Sequence, residues 1–172
     1  MSITVAKFLD VSQGTQAGQF TVGDRDVVRS LDDLDPVYKR LLEEPVTAVV
    51  AVTSPSGRAN LTPVWFDHEG DTVLLNLATH RKKVEWLRAN PQATFLLMNP
   101  QNAYHWLSIK ATVSREISED DPVEGQRVTD QLNAIFKKYT GGETYALRDP
   151  SFEERRVLFE LTVDSVATFG QP

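Results

Sequence analysis

Apolar positions along this chain recur with two periods. Some runs alternate or are continuously β-branched, as strands are; others repeat every three to four residues, as helices do. Residues 1–30 carry no clean period, and Gln13 to Gly23, rich in Gly, Gln and Thr, predicts a loose arm with one short strand. Asp32-Asp33-Leu34-Asp35-Pro36 predicts a helix start, because acidic residues suit the positive end of the helix dipole and proline suits the first turn. That helix runs through Val37, Leu41 and Leu42 and stops before Pro45. Val46–Thr53 is a continuous β-branched strand, Ser54-Pro55-Ser56-Gly57 a turn, and Ala59–Asp67 a partly alternating strand. A second turn at His68-Glu69-Gly70-Asp71 leads into Thr72–Leu77, and the three strands predict a meander. Thr79–Asn90 has helical spacing, with Val84, Leu87 and Trp86 inward and Arg81, Lys82, Lys83, Glu85 and Arg88 outward or toward a ligand. After Pro91 come strands at Ala93–Met98 and Tyr104–Ile117. A long helix follows at Asp121–Tyr139, with Val128, Leu132, Ile135 and Phe136 on one face and Gly141-Gly142 at its end. Arg156–Val163 and Val166–Phe169 read as closing strands.

Six to seven mostly antiparallel strands with two or three helices make an α+β fold, with a small antiparallel barrel as the expected core. The organisation expected is an N-terminal extension or arm over 1–35 and one domain over 36–172. Eighteen Lys+Arg against 24 Asp+Glu give a net charge of −6. An acidic pI of about 5.1 argues against a nucleic-acid binder. There is no cysteine, so disulfides, thiolate metal sites and cysteine nucleophiles are excluded, which suits a reducing cytoplasm. The longest apolar run, Val46–Val52, is too short to span a bilayer, and the first ten residues carry no secretory pattern, so the expectation is a cytoplasmic protein without a membrane partner.

The sharpest local feature is Thr79-His80-Arg81-Lys82-Lys83, where a strand ends and a helix begins. Helix N-termini attract anions, arginine grips phosphate bidentately and lysine adds a point charge. Lysines in a first turn oppose the helix dipole, so a purely solvated face costs something. Both readings, a phosphate or carboxylate site and a solvated face, stay open on these residues alone. Pro63, within Thr62-Pro63-Val64-Trp65-Phe66, marks an edge, a bulge or a ligand-facing position. Tyr104 and Trp106 share one face of a strand, opposite His105; they suit either stacking on a flat cofactor or packing in a core or dimer. His68, His80 and His105 form no metal motif. No Gly-x-Ser-x-Gly elbow, Walker loop or Gly-x-Gly-x-x-Gly is present, so nucleophilic catalysis, P-loop chemistry and Rossmann binding have no sequence basis. Arg155-Arg156 reads as a surface pair or as a reach toward an anionic ligand.

The ordered set over roughly residues 36–170 resembles the split-β-barrel flavin and deazaflavin oxidoreductases, the group that includes pyridoxamine 5′-phosphate oxidase. The set comprises Val46–Thr53, Gly57-Arg58, Leu61 to Phe66, Gly70-Asp71, Thr79 to Lys83, Leu87-Arg88-Ala89-Asn90-Pro91-Gln92-Ala93, Tyr139 before Gly141, and Arg155 to Leu161. It is most similar to the actinobacterial branch that uses coenzyme F-420, an 8-hydroxy-5-deazaflavin. Two departures are Trp86, where many relatives have Asn, and Ala111, where many have Gly. The resemblance implies a split β-barrel in a homodimer with its sites at the interface. It implies that Arg81 and Lys83, with Thr79 and Lys82 nearby, hold the cofactor phosphate. Thr62, Pro63, Val64 and Trp65 would line the ring, and Tyr104 and Trp106 would come from the second chain. The implied activity is reduction of a conjugated small molecule by coenzyme F-420. An FMN-dependent oxidoreductase or oxidase, and a non-catalytic flavin- or deazaflavin-binding protein, are the alternatives.

Overall fold

The structure, a computed structural model, describes residues 2–8, 22–170 and 172. Most of the predicted arm, Gln13 to Thr21, lies outside the described residues. The element order is β1 (Ile3–Phe8), β2 (Val22–Val28), α1 (Pro36–Glu43), β3 (Ala48–Thr53), β4 (Ala59–Val64), β5 (Asp67–Glu69), β6 (Thr72–Ala78), α2 (Lys82–Ala89), β7 (Gln92–Asn99), β8 (Asn102–Ser118), α3 (Gly125–Thr140) and β9 (Arg156–Phe169). All strands belong to one sheet, ordered β2-β1-β9-β8-β7-β3-β4, with β6 on β9 and β5 on β6. The long strand β9 organises the barrel. One edge carries β8 along its length, while the other carries antiparallel β6 against Arg156–Thr162 and then parallel β1 against Ser165–Phe169.

Several boundaries depart from the sequence expectation. The described strands number nine rather than six or seven, because β1, β2 and β5 join the sheet. Ile3 and Val5 are buried in the main core, so the first strand is tied down by hydrophobic burial as well as by pairing. The expected meander breaks after β4. Pro63 has no N–H to give, β4 lies at the edge, and the chain leaves the sheet at Trp65-Phe66 to bury Phe66 in the core. The two closing strands are one continuous strand, accommodated by register irregularities in its pairing with β8 at Lys110/Ala111 and Val113/Arg115. α3 begins at Gly125 rather than Asp121, because the Asp121 carboxylate accepts from the Val123 and Glu124 N–H groups at 2.8 and 2.9 Å. That side chain holds a turn ahead of the helix.

The ends of α1 and α3 follow the expected chemistry. The Asp35 side chain caps α1 by accepting from the Val37 N–H, and Pro36 opens it. Gly141 ends α3 at φ +79°, donating to the Lys137 carbonyl at 2.9 Å. Val84 and Leu87 of α2 are fully buried and Trp86 packs partly against the same core. Val128, Leu132 and Ile135 face inward from α3. No helix among the described residues is long and apolar enough to cross a membrane.

Candidate functional site

β4 alternates between two faces. Asn60, Thr62 and Val64 are partly buried, whereas Leu61 and Pro63 are exposed. α2 begins shortly after Thr79, whose N–H and hydroxyl both donate to the Arg155 carbonyl, at 2.9 and 3.2 Å. Arg81 stands at the helix N-cap, and Lys82 and Lys83 open the first turn. Lys83 is half-buried, and its Nζ donates to Thr62 Oγ1 at 2.5 Å. Two motifs 21 residues apart thus meet in one contact. Burial first, then the Arg81 charge, push the Lys83 pKa below its ordinary value.

Arg88, Arg115, Arg127, Arg148, Arg155 and Arg156 each meet a carboxylate, whereas Arg58, Lys110 and Lys138, like the cations of this cluster, have no carboxylate partner among the described residues. Arg81, Lys82 and Lys83 have no carboxylate partner among the described residues, although the chain carries an excess of acid. Three cations gathered at a helix start, against the single acid Glu85 of the same turn, leave a net positive, anion-receptive edge.

Beside it, Thr47, Pro63, Val64, Trp65, Tyr145 and Leu147 line a cleft of about 380 Å³. Its floor is rigid. The Trp65 ring stacks on Tyr139 at 5.1 Å and 16°, with Phe136 tilted at 6.0 Å. The Tyr139 hydroxyl donates to the Val46 carbonyl at 2.5 Å and accepts from the Phe66 N–H at 2.8 Å, pinning the turn that follows β4. Burial raises the Tyr139 pKa, so this phenol stays protonated in its donor role. Behind the cleft, Arg156 Nε donates to Asn76 Oδ1 at 2.7 Å. Asn76 in turn donates to the Val128 carbonyl and to Gln131 Oε1, each at 3.0 Å. The sequence reading missed Thr47, Asn76, Tyr145 and Leu147 as cleft or backing residues, and had Arg156 as a surface residue or a reach toward an anionic ligand, where the structure places it behind the cleft. Asn76 had one signal, a lone amide inside the apolar run Val73 to Ala78.

Tyr104 and Trp106 lie elsewhere within one chain. They sit on β8, separated from β4 by β7 and β3, on the outward face of the sheet. Tyr104 is 68% exposed and Trp106 stacks on Phe169 at 5.7 Å. His105 faces inward, as alternation requires, and is buried, with Nδ1 3.1 Å from Asn99 Nδ2. No cluster of metal-ligating side chains occurs among the described residues.

The sequence profile described as pyridoxamine 5′-phosphate oxidase matches residues 34–170. The chain belongs to this family. The family's fold binds flavins and its members include oxidoreductases, and the nine-strand sheet with three helices is its split β-barrel. Among solved structures, an F420 reductase shares 21% identity at a TM-score of 0.61, covering 77% of this chain and 98% of its own. An FAD-binding protein from Mesorhizobium loti shares 20% at 0.51, covering 77% and 92%. HutZ, the haem storage protein from Vibrio cholerae, shares 16% at 0.55, covering 77% and 92%. At these identities the three likenesses speak for the fold alone. No curated protein matches the chain.

Proposed function

We propose that this chain is an oxidoreductase that binds coenzyme F-420 and uses its reduced form to reduce a conjugated small molecule. The observation that carries this reading is the unpaired cation cluster at the start of α2, with half-buried Lys83 bonded to Thr62. The residues fit a phosphate-bearing cofactor. Lys83 is partly desolvated, has no carboxylate beside it, and is depressed in pKa by burial and by Arg81. An anion there relieves both effects.

In this reading Arg81, Lys82 and Lys83 hold the anionic end. Thr62 orients the Lys83 ammonium, and Thr79 fixes the strand-to-helix junction through the Arg155 carbonyl. Pro63, Val64 and Trp65 form the wall along the ring, with Trp65 immobilised by Tyr139. Tyr104 and Trp106 cannot join this wall from the same chain, so a second copy supplies them across the outward sheet face. The bound deazaflavin supplies the two-electron reducing chemistry, and the protein contributes binding, orientation and exclusion of water. FMN offers one phosphate. Coenzyme F-420 offers a phosphodiester followed by glutamate carboxylates, which suits several cations along one exposed edge. Each exposed pairing adds no more than about 1 kcal/mol, so the preference rests on their number.

The test is a fluorescence titration of the purified protein with coenzyme F-420 and with FMN, at low and high salt. Coenzyme F-420 should bind more tightly, and salt should weaken it more than FMN. Lys83→Ala, at the half-buried position, should cost roughly 1.5–3 kcal/mol, about 10- to 100-fold in affinity, and Arg81→Ala, on the exposed edge, up to about 1 kcal/mol, about fivefold, both without unfolding the protein. Equal FMN affinity at low salt, or a yellow complex purified at full occupancy, would establish the FMN-dependent alternative. Tight binding without reduction of any acceptor in a broad panel would make the protein a cofactor carrier.

A further inference from the structure

The last turn of α3 closes on two other parts of the chain through consecutive side chains. Lys138 Nζ donates to the Leu42 carbonyl at 2.7 Å and to the Phe66 carbonyl at 3.1 Å. Leu42 lies in the last turn of α1, where helix carbonyls lack an intrahelical partner and a cation is favoured. Phe66 follows β4 and has its ring in the core. Its N–H goes to the Tyr139 hydroxyl. Both backbone groups of Phe66 are thus taken by neighbouring residues of one helix. The same two residues hold the exit of α1, Lys138 at Leu42 and Tyr139 at Val46.

This clasp is made with a charge. Lys138 is half-buried, and burial pushes its pKa below the ordinary value. Asp67 and Glu43 oppose that shift, yet neither pairs with the ammonium. An ammonium drawn out of water against neutral carbonyls carries a desolvation cost that an apolar side chain avoids. What it supplies is donors: three on one nitrogen, enough to tie carbonyls from two separate elements to one point.

Next to that point stands Trp65. Its ring lies flat on Tyr139, whose hydroxyl is held by both Val46 and Phe66, and Lys138 Nζ is 5.9 Å from the centre of the Tyr139 ring. The Phe66 peptide directly follows Trp65 in the chain. A shift of the Phe66 carbonyl therefore turns Trp65 at its backbone, and a shift of Tyr139 moves the surface on which the indole rests.

We propose that Lys138 is a positioning residue for the cofactor ring: by fixing the Phe66 peptide and the α1 exit together, it sets the angle of Trp65 in the ring wall. This role rests on the reading of Trp65 as part of that wall, while the clasp stands on its hydrogen bonds.

The test compares Lys138→Met, which has no donor, with Lys138→Arg, which keeps the charge and its donors, in the full chain. Near-ultraviolet circular dichroism of the cofactor-free protein reads the Trp65–Tyr139 stack, because that signal needs fixed tertiary packing. Lys138→Met should change the band. The change should be absent when Trp65→Phe is already in place, which separates Trp65 from Trp86 and Trp106. Coenzyme F-420 affinity should fall about three- to tenfold in Lys138→Met and recover in Lys138→Arg. The salt dependence of that affinity should keep the wild-type slope in Lys138→Met, because Lys138 meets no cofactor anion, whereas Lys83→Ala should flatten it. Lys138→Gln gives the same comparison if the methionine variant does not fold. Lower stability with an unchanged Trp65 band and unchanged cofactor affinity would overturn the proposal, leaving Lys138 a structural tie. A flattened salt slope in Lys138→Met would also overturn it, by making Lys138 a direct anion contact. A changed Trp65 band in a protein that takes up neither coenzyme F-420 nor FMN would instead remove the cofactor reading, and the positioning role with it, and leave the clasp on Trp65 standing.

Discussion

Lys83 is half-buried, bonded to a neutral hydroxyl, and carries an ammonium with no carboxylate beside it among the described residues. Its pKa in the free protein lies below the ordinary value, and a bound oxyanion raises it. The sign of the linkage follows. Binding takes up a proton wherever the free protein has lost it, so affinity is full below the free-protein pKa and falls as pH rises through it. The fall should begin at a lower pH than for an ordinary lysine, near 10.4. Titrations of coenzyme F-420 across the alkaline range should show this decline in the wild type. In Lys83→Ala the early onset should be lost, leaving only a decline at higher pH, on a baseline about tenfold or more weaker. A wild-type profile that begins to fall at the same pH as the variant's would remove Lys83 from the site. The cluster Thr79 to Lys83 and the run Thr62 to Trp65 were both legible as candidate segments. Their meeting was not, because nothing in local spacing tells a lysine on one element which hydroxyl on another it reaches.

Between α3 and β9, the segment of residues 141–155 has no strand or helix and is fastened by side chains. Glu119 is the main fastener. It pairs with Arg148, accepts from the Thr129 hydroxyl at 3.2 Å and accepts from the Arg156 N–H at 3.1 Å. Arg148 also donates to the Glu154 carbonyl at 2.8 Å. Burial alone would raise the Glu119 pKa, but Arg148, Thr129 and Arg156 together hold it below the usual value. A depressed carboxylate pKa contributes stability that is present above the unfolded value, near 4.3, and lost as pH falls through the folded one. Glu119→Gln should therefore lower stability by about 1–3 kcal/mol at neutral pH, and the gap to wild type should close in acid. Chemical denaturation at a series of pH values checks this, and a gap that persists unchanged well below pH ~4 would refute the ionic part of the argument. The same segment shows where element-level reading stops. The cores of the helices and strands followed from periodicity, as Val84 and Leu87 or Val128 and Leu132 show. Residues without a period, such as Tyr145 and Leu147, gave no signal because their positions depend on Glu119, Asn133 and Arg156, drawn from three other parts of the chain. The meander failed for a related reason: short turns suggested pairing in sequence order, whereas the chain turns in at the buried Phe66 and β6, with β5 on its far side, pairs with β9.

At the scale of the whole molecule, the barrel keeps one broad sheet face uncovered. Strand register aligns Pro63 with Val49, Leu61 with Ala51, Leu96 with Val49, and Met98 with Trp106. These apolar residues share the outward face with Tyr104, and Leu61 is 63% exposed. A patch of this composition across four strands is more than a monomer ordinarily leaves in water. It also carries the two aromatic residues that the proposed cofactor site lacks within its own chain. Both observations favour a homodimer formed through this face, with each site completed by the partner. Sedimentation at micromolar concentration should give about twice the 19.3 kDa of one chain. Leu61→Glu combined with Met98→Glu should weaken association about 100-fold or more, since an interface core tolerates unpaired carboxylates poorly. The separation of roles gives a sharper comparison. Tyr104→Ala should leave the dimer largely assembled but weaken coenzyme F-420, whereas the double glutamate variant should lose the dimer and the cofactor affinity together, although neither of its substitutions touches the cation cluster. A wild-type chain that sediments as a monomer, or a monomeric double variant that binds coenzyme F-420 as tightly as wild type, would refute the shared site, because the cations at α2 and the wall of β4 would then suffice in one chain.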